Sequence, residues 1–300
     1  MFPVVVTVAA LGVGCVLYGI FIERFRYRVI RHRLNILPTA AQPFVVLHLS
    51  DLHFVRHDPR KTRFLAGLPP ADVTVVTGDL LGEPEAIRTT VESVREVRGR
   101  IASWFVLGSN DYFVPRPLNY LAYFRPGRPR RRAAPGRAPD LIRALVADGW
   151  EDLTDSRRTI SLLGLETELL GLDDAHIRRH DLRVAPRSED GRFGFAVMHS
   201  PDTAPEAAAL GYGLIVAGHT HGGQVRLPWI GALVTNCSMP RAFASGLVRM
   251  GSAVLHTSRG LGTSRYAPFR FWCRPEATYL DLHPRSQSVG PERRHAAATR

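Results

Sequence analysis

Five short apolar runs, each rich in β-branched or aromatic residues and each ending on a cluster of Asp, Asn or His, constrain what this 300-residue chain can become. The runs occupy residues 44–49, 73–77, 104–107, 193–197 and 214–217. They end, in order, on Ser50-Asp51-Leu52-His53, Gly78-Asp79, Gly108-Ser109-Asn110-Asp111, Met198-His199-Ser200 and Gly218-His219-Thr220-His221. Runs this short and this β-branched read as buried strands rather than helices. Helical signatures lie between them. Residues 84–98 begin at Pro84, stop before Gly99 and carry Ile87, Val91, Val94 and Val97 at helical spacing. Alternating strand and helix predicts an α/β domain, in which ligands gather beyond the carboxyl ends of the strands, where all five segments sit.

Asp, Asn and His are donors for divalent Mn, Fe or Zn, and no segment brings a Cys that would close a structural zinc site. Together the segments predict a two-metal hydrolytic centre. Singly, each has a plainer reading. Asp51-Leu52-His53 can be a turn with a surface histidine, Gly78-Asp79 a tight turn in which Asp bonds its own backbone, and His219-Thr220-His221 two satisfied histidines facing opposite ways. Their joint occurrence in order weighs against that. His48, His57, His180 and His256 fall inside a strand, in charged loops or before a Gly-rich turn, and are read as structural.

In this order the segments resemble the D-x-H, G-D, G-N-H-[DE], H and G-H-x-H motifs of the calcineurin-like metallophosphoesterase superfamily. The resemblance spans 44–282. The stretches His199-Ser200-Pro201-Asp202, Gly218 to Gln224 and Cys273-Arg274-Pro275-Glu276 are similar to a membrane-associated bacterial branch of YkuE- and YaeI-type phosphodiesterases and UDP-2,3-diacylglucosamine pyrophosphatases. It implies a metallophosphatase-type four-layer α/β/β/α sandwich, with a second sheet drawing on 159–172, 253–257 and 278–282. It also implies two divalent metal ions, Mn²⁺ first and Fe or Zn as alternatives, and hydrolysis of a phosphodiester or pyrophosphate bond. Asp51, His53 and His221 would hold one ion, Asp79 would bridge, and His199, His219 and an amide of the third motif would hold the other.

The third motif departs from the pattern. Ser109 stands where the family has its Asn ligand and Asn110 where it has His, with Asp111 keeping the acidic position. We take Asn110 as the ligand, through a small shift of the turn, because a neutral Ser hydroxyl binds a hard divalent ion poorly. Asp79, His199, Asn110 and Asp111 are thus the expected catalytic residues. Asp173, Asp174 and His176, following another apolar run, are expected to bind substrate or to support the metals, with a turn cap as the alternative.

Residues 2–22 are apolar without interruption and long enough to span a bilayer. The start lacks a basic residue and the end is bulky, unlike a cleaved signal peptide. Arg24, Arg26, Arg28, Arg31 and Arg33 follow directly, so the positive-inside rule predicts a single-pass cell-membrane protein with its catalytic domain in the cytoplasm. The expected divisions are a transmembrane anchor (1–23), a basic juxtamembrane linker (24–43), the catalytic domain (44–283) and a disordered basic tail (284–300). Within the domain, 112–139 is read as a lid or insertion, with Tyr112, Phe113, Tyr120, Tyr123 and Phe124 in its first half.

The formal charge is +12, and Lys61 is the one lysine among 39 basic residues. No nucleic-acid-binding signature accompanies that charge, so no specific nucleic acid is expected. Its clusters at 24–33, at 125–137 and in the tail suit anionic lipid or an anionic substrate, and the expected partners are membrane lipid and a phosphorylated small-molecule or lipid substrate. Cys15, Cys237 and Cys273 make no disulfide framework and are read as free thiols. A non-catalytic membrane scaffold and a nucleic-acid-directed phosphodiesterase are the rival readings; the second would draw on the basic charge.

Overall fold

In the computed structural model, which describes residues 2–115, 117, 134–187 and 191–285, the five apolar runs become neighbouring parallel strands in two sheets. Strands β2 (Phe44–Leu49), β3 (Val73–Thr77) and β4 (Ala102–Val106) lie side by side in the first. Strands β8 (Phe193–Met198) and β9 (Leu214–Ala217) do so in the second. Every residue of β3 and β8 is buried. Both faces of a parallel sheet are covered, so such strands read as unbroken apolar runs rather than alternating ones.

The first sheet is completed by β1 (Arg28–Leu37), β5 (Glu151–Asp152) and β14 (Glu276–Pro284), in the order β1-β14-β2-β3-β4-β5. The second adds β6 (Ser156–Leu162), β7 (Leu165–Leu172), β12 (Gly246–Met250) and β13 (Ala253–Thr257), in the order β12-β13-β9-β8-β7-β6, while β10 (Arg226–Leu227) and β11 (Gly231–Ala232) pair only with each other. Val46, Val75 and Trp104 of the first sheet pack on Leu169, Phe195 and Val216 of the second, with Trp104 and Phe195 edge to face at 6.0 Å. Helices α2 (Pro59–Ala66), α3 (Ile87–Arg95) and α5 (Ala138–Ala147) bury Leu65, Val91 and Leu141 on the outside of the first sheet. A single turn, α4 (Ser109–Tyr112), follows β4, and α6 (Ala204–Ala209) packs Ala204 and Ala207 on the outside of the second sheet. The result is a four-layer α/β/β/α sandwich. The predicted 84–98 helix is a 3-10 turn, Pro84–Ala86, leading into the nine-residue α3.

Two expectations are corrected. Residues 28–37 are not part of a linker: they form edge strand β1, parallel to β14, with Arg28 beside Glu276 and their side chains 2.7 Å apart. Alternating burial along β1 explains how a strand hides in a charge run, since its arginines at 31 and 33 point outward while Leu34 and Ile36 reach the core. Residues 278–282 lie in the first sheet, not the second. They belong to β14, which runs antiparallel to β2 with Thr278 opposite His48. There β14 packs Ala277 and Tyr279 under the helices and Leu280 and Leu282 between the sheets, as a strand covered on both sides must.

The apolar N-terminus is helix α1 (Phe2–Phe21), long and apolar enough to cross a membrane, with Val4, Val8, Leu11 and Leu17 exposed. Its last turn is docked on the domain. The Arg270 amide donates to Gly19 O at 3.3 Å, and the Cys273 amide donates to the buried Glu23 carboxylate at 2.6 Å. A Cβ at Gly19 would lie 2.2 Å from the Phe269 ring, so only glycine permits this approach. Tyr120, Tyr123, Phe124 and the arginines between 125 and 132, together with residues 286–300, lie outside the described residues, and so do most of the expected lid and tail.

Candidate metal centre

Three of the five motifs, the first, second and last, leave their strands through turns that bend the backbone into the left-handed region. Asp51 (φ 48°), His53 (43°), Asp79 (51°), His219 (67°) and His221 (50°) all adopt it. For residues other than glycine this costs about 1–2 kcal/mol each, and it persists where the surroundings over-determine the backbone. Here the turns brace one another. Asp51 N donates to Gly78 O at 3.0 Å, His53 N to Asp79 O at 2.9 Å and Gly218 N to His199 O at 2.8 Å. The strain and these bonds aim the side chains of motifs from both sheets at one point.

Two donor groups result, sharing Asp79. Asp51, His53, Asp79 and His221 are buried, with one donor atom from each lying within 4.8 Å of the others. His53 Nε2 is 3.2 Å from His221 Nε2 and 3.5 Å from Asp79 Oδ2, while His221 Nε2 is 3.4 Å from Asp51 Oδ1. On the other side, His199 Nε2 is 3.3 Å from His219 Nδ1 and 3.6 Å from Asp79 Oδ1. The Asn110 amide touches Asp79 Oδ2 at 2.5 Å, and its backbone N–H donates to Oδ1 at 2.8 Å. Rotating that amide exchanges its nitrogen and oxygen, so Oδ1 can occupy the same place. The Ser109 carbonyl accepts from Phe113 N, at the start of α4.

Carbonyls set the histidine tautomers. His199 Nδ1 lies 2.7 Å from Thr77 O and His219 Nε2 lies 3.1 Å from Asn236 O, so each donates outward and turns its other nitrogen to the cluster. Burial lowers His53 to about 4 and His219 to about 3, and holds His221 well below its ordinary value. These are neutral imidazoles at neutral pH. His199 goes the other way: burial opposes its protonation, but Asp79, Asp174 and Asp51 raise it to about 9. Asp79 is pushed up by burial yet held below the usual carboxylate range by His199 and His53, and burial raises Asp51 to about 6. Among the described residues, buried Asp51 Oδ1 and Asp174 Oδ2 have no hydrogen-bond partner. Buried carboxylates with orphaned oxygens beside neutral imidazoles form a negative pocket that divalent cations satisfy, displacing the His199 proton. The donors fit two such ions.

Two predicted site residues take other places. Asp111 is fully buried behind the centre, its Oδ1 accepting Leu81 N and its Oδ2 accepting Gly108 N, each at 2.9 Å. Burial pushes it up to about 7, and with both oxygens bound to backbone it ties the third motif to the loop after β3 rather than facing substrate. Asp173 accepts from Tyr112 OH (3.0 Å), Arg179 Nε (2.9 Å) and Asp174 N (2.7 Å), so both its oxygens are committed to structure. Asp174 caps His176 N at 2.8 Å, and the His176 ring sits 4.3 Å from that of His219 at the rim. Beside it opens a cleft of about 560 Å³ lined by His176, Arg178, Asp202 and Ser238.

Sequence reading missed Arg270. Its fully buried guanidinium donates to the carbonyls of Gly262 (2.6 Å), Arg259 (2.8 Å), Gly260 and Cys273 (3.2 Å each), and comes within 3.5 Å of His221 Nδ1. In a chain whose basic residues are nearly all arginine, nothing local singled it out.

The family model described as calcineurin-like phosphoesterase matches residues 44–223. The chain is 24% identical to the metallophosphoesterase YkuE of Bacillus subtilis over 277 residues, covering 88% of each. It is 27% identical to the phosphodiesterase YaeI of Escherichia coli, covering 85% of this chain and 88% of that one. It is 25% identical to the UDP-2,3-diacylglucosamine pyrophosphatase LpxG of Chlamydia muridarum, covering 77% and 81%. A match over more than half the chain, falling on the strands and turns that build this centre, shows that the protein belongs to the calcineurin-like phosphoesterase family of hydrolases acting on phosphoester bonds.

Proposed function

We propose that the protein hydrolyses a phosphodiester or pyrophosphate bond in a lipid- or nucleotide-linked substrate, at a two-metal centre held by Asp51, His53, Asp79, Asn110, His199, His219 and His221. The carrying observation is Asp79, whose two oxygens face two separate donor groups. Bound ions supply charge neutralisation at the phosphoryl oxygens and lower the pKa of the attacking water. The chain's own residues hold that arrangement: Thr77 O and Asn236 O fix the rings of His199 and His219, and Asp111 fixes the turn that carries Asn110. The names of YaeI and LpxG, a phosphodiesterase and a pyrophosphatase, support this substrate class. Manganese is the ion we favour for a mixed Asp, Asn and His donor set.

The third motif offers no acid to protonate a leaving group, since Asn110 is an amide and Asp111 is sealed by two backbone amides. A bond that expels a stabilised phosphate or aryloxide therefore suits the site better than an alkyl ester. Rates of the Mn²⁺-loaded full chain on diesters with leaving groups of graded pKa test this: a steep fall with rising pKa is expected, and a flat dependence overturns it. The helix α1 anchors the domain to the membrane, and the arginines that follow place it on the cytoplasmic side. Protease added to intact cells leaves a cytoplasmic domain uncut; its digestion would reverse the orientation.

A further inference from the structure

A cavity of about 380 Å³ at the foot of α1 reaches one residue of the metal centre, His53. Its walls include the metal-centre residue His53, Arg24 and Phe25 from the end of the helix, and Arg60, Lys61 and Arg265. Lys61 is paired with Asp58 at 2.7 Å and Arg265 with Glu83 at 2.9 Å. Arg24 and Arg60 are not: their guanidinium groups flank the Phe25 ring at 4.4 and 4.5 Å, and among the described residues neither has a carboxylate within ion-pair distance. Arg24 Nε is buried without any hydrogen-bond partner. The cavity thus carries two uncompensated positive charges and one unsatisfied buried donor, which is the chemistry of an anion subsite.

The surroundings say where that anion comes from. On the other flank of the helix foot lies a second cleft, of about 670 Å³, with Tyr18, Arg26, Arg226 and Arg274. Trp229 and Trp272 rim it and stand out to solvent with relative exposures of 103% and 61%, beside Ile230 at 62%. Exposed tryptophans among arginines at the end of a bilayer-length apolar helix match the composition of the headgroup zone. The helix is seated on the domain by Gly19 and Glu23, so the cavity mouth is held at that level.

We propose that this cavity is a subsite for the anionic head of a bilayer-embedded lipid whose headgroup is joined through a pyrophosphate, presenting that bond to the metal centre past His53. The inference rests on the hydrolase reading and names its substrate class, a membrane lipid entering from the helix side rather than a soluble nucleotide. Arg24 and Arg60 select for the anionic head, and Trp229 and Trp272, on the rim of the neighbouring cleft, hold the foot of the helix against the bilayer.

The test uses the Mn²⁺-loaded full chain in phosphatidylcholine nanodiscs and measures binding by calorimetry, so it does not depend on turnover. Two probes separate the sources of phosphate: dihexanoyl phosphatidic acid, which has a lipid body, and inorganic phosphate, which does not. The lipid binds at least about tenfold more tightly than phosphate, and the double substitution Arg24→Gln with Arg60→Gln weakens lipid binding about tenfold. Arg60 is exposed and Arg24 half-buried, and unchanged Mn²⁺ content verifies that the variant is folded. Equal affinity for the two probes overturns the lipid assignment, and an unchanged lipid Kd in the variant overturns the cavity. Failure of the unmodified chain to hydrolyse bis(4-nitrophenyl) phosphate would count against the hydrolase reading alone, leaving the binding result to decide the subsite.

Discussion

His48 Nδ1 and His256 Nδ1 lie 2.7 Å apart across the interface of the two sheets, sealed from solvent. One ring must donate to the other. If His256 donates, His48 Nε2 can donate in turn to Thr77 Oγ1 at 2.9 Å, and the unpartnered His256 Nε2 is a bare lone pair rather than an orphaned N–H. Both rings are therefore neutral. Burial lowers His48 to about 3 and His256 well below its ordinary value, with His32, 5.9 Å from His256, adding to the latter.

A pH dependence follows from that neutrality. Between pH 6.5 and about 3 the unfolded chain binds protons that folded His48 refuses, so stability rises with pH across this window and is lost as pH falls through it. Each such histidine contributes about 1.4 kcal/mol per pH unit. The thermal midpoint of the chelator-treated protein drops from pH 7 to pH 5, and His48→Asn flattens the drop. An unaltered slope in the variant would show that His48 is not the group responsible.

Removing Asp79 empties both donor groups of a shared oxygen donor. Outer partners of metal ligands typically cost about 10–100-fold when lost, so Asp79→Ala or His219→Ala reduces activity beyond that range. Chelation abolishes turnover of the unsubstituted protein and Mn²⁺ restores it. Undiminished hydrolysis by chelated Asp79→Ala would refute the two-metal centre.

The third motif separates by metal titration. Asn110→Ala keeps the site of Asp51, His53 and His221 and loses the weaker second ion, whereas Ser109→Ala keeps both. Two ions bound with unchanged affinity by Asn110→Ala would remove the amide from the ligand set.

Arg270 bonds four carbonyls, three of them, those of Arg259, Gly260 and Gly262, from the loop against Asp51 and His53. Arg270→Met leaves them buried and unpaired, at a cost of about 3 kcal/mol or more, read as a fall in the thermal midpoint. Arg270→Lys does not restore it, because a single ammonium cannot span the set. Full stability of Arg270→Met would show that the carbonyls find other donors.

The strands that carry the centre were legible because a strand buried on both faces must be apolar, and because its carboxyl end, where Asp51, Asp79 and His199 stand, is marked by the abrupt return of polar residues. The alternation of strand and helix gave the α/β class, whereas the α/β/β/α layering was expected from the resemblance of the motifs to a known family. What the order of residues alone could not convey depends on partners far along the chain. Arg28–Leu37 is a strand only because β14, some 250 residues on by the Arg28 to Glu276 pairing, comes back to lie beside it. Asp111 and Asp173 look like site acids until folding brings Leu81 N, Tyr112 and Arg179 to their oxygens. His48 and His256, Arg270 and the Arg24 cavity likewise acquire their roles from what packs against them. Local sequence determined which groups could bind metal and where strands ended; closure of the two sheets decided which charges were paired, which were left facing a cavity, and which way each ligand pointed, because burial and hydrogen bonding are properties of neighbours in space rather than in sequence.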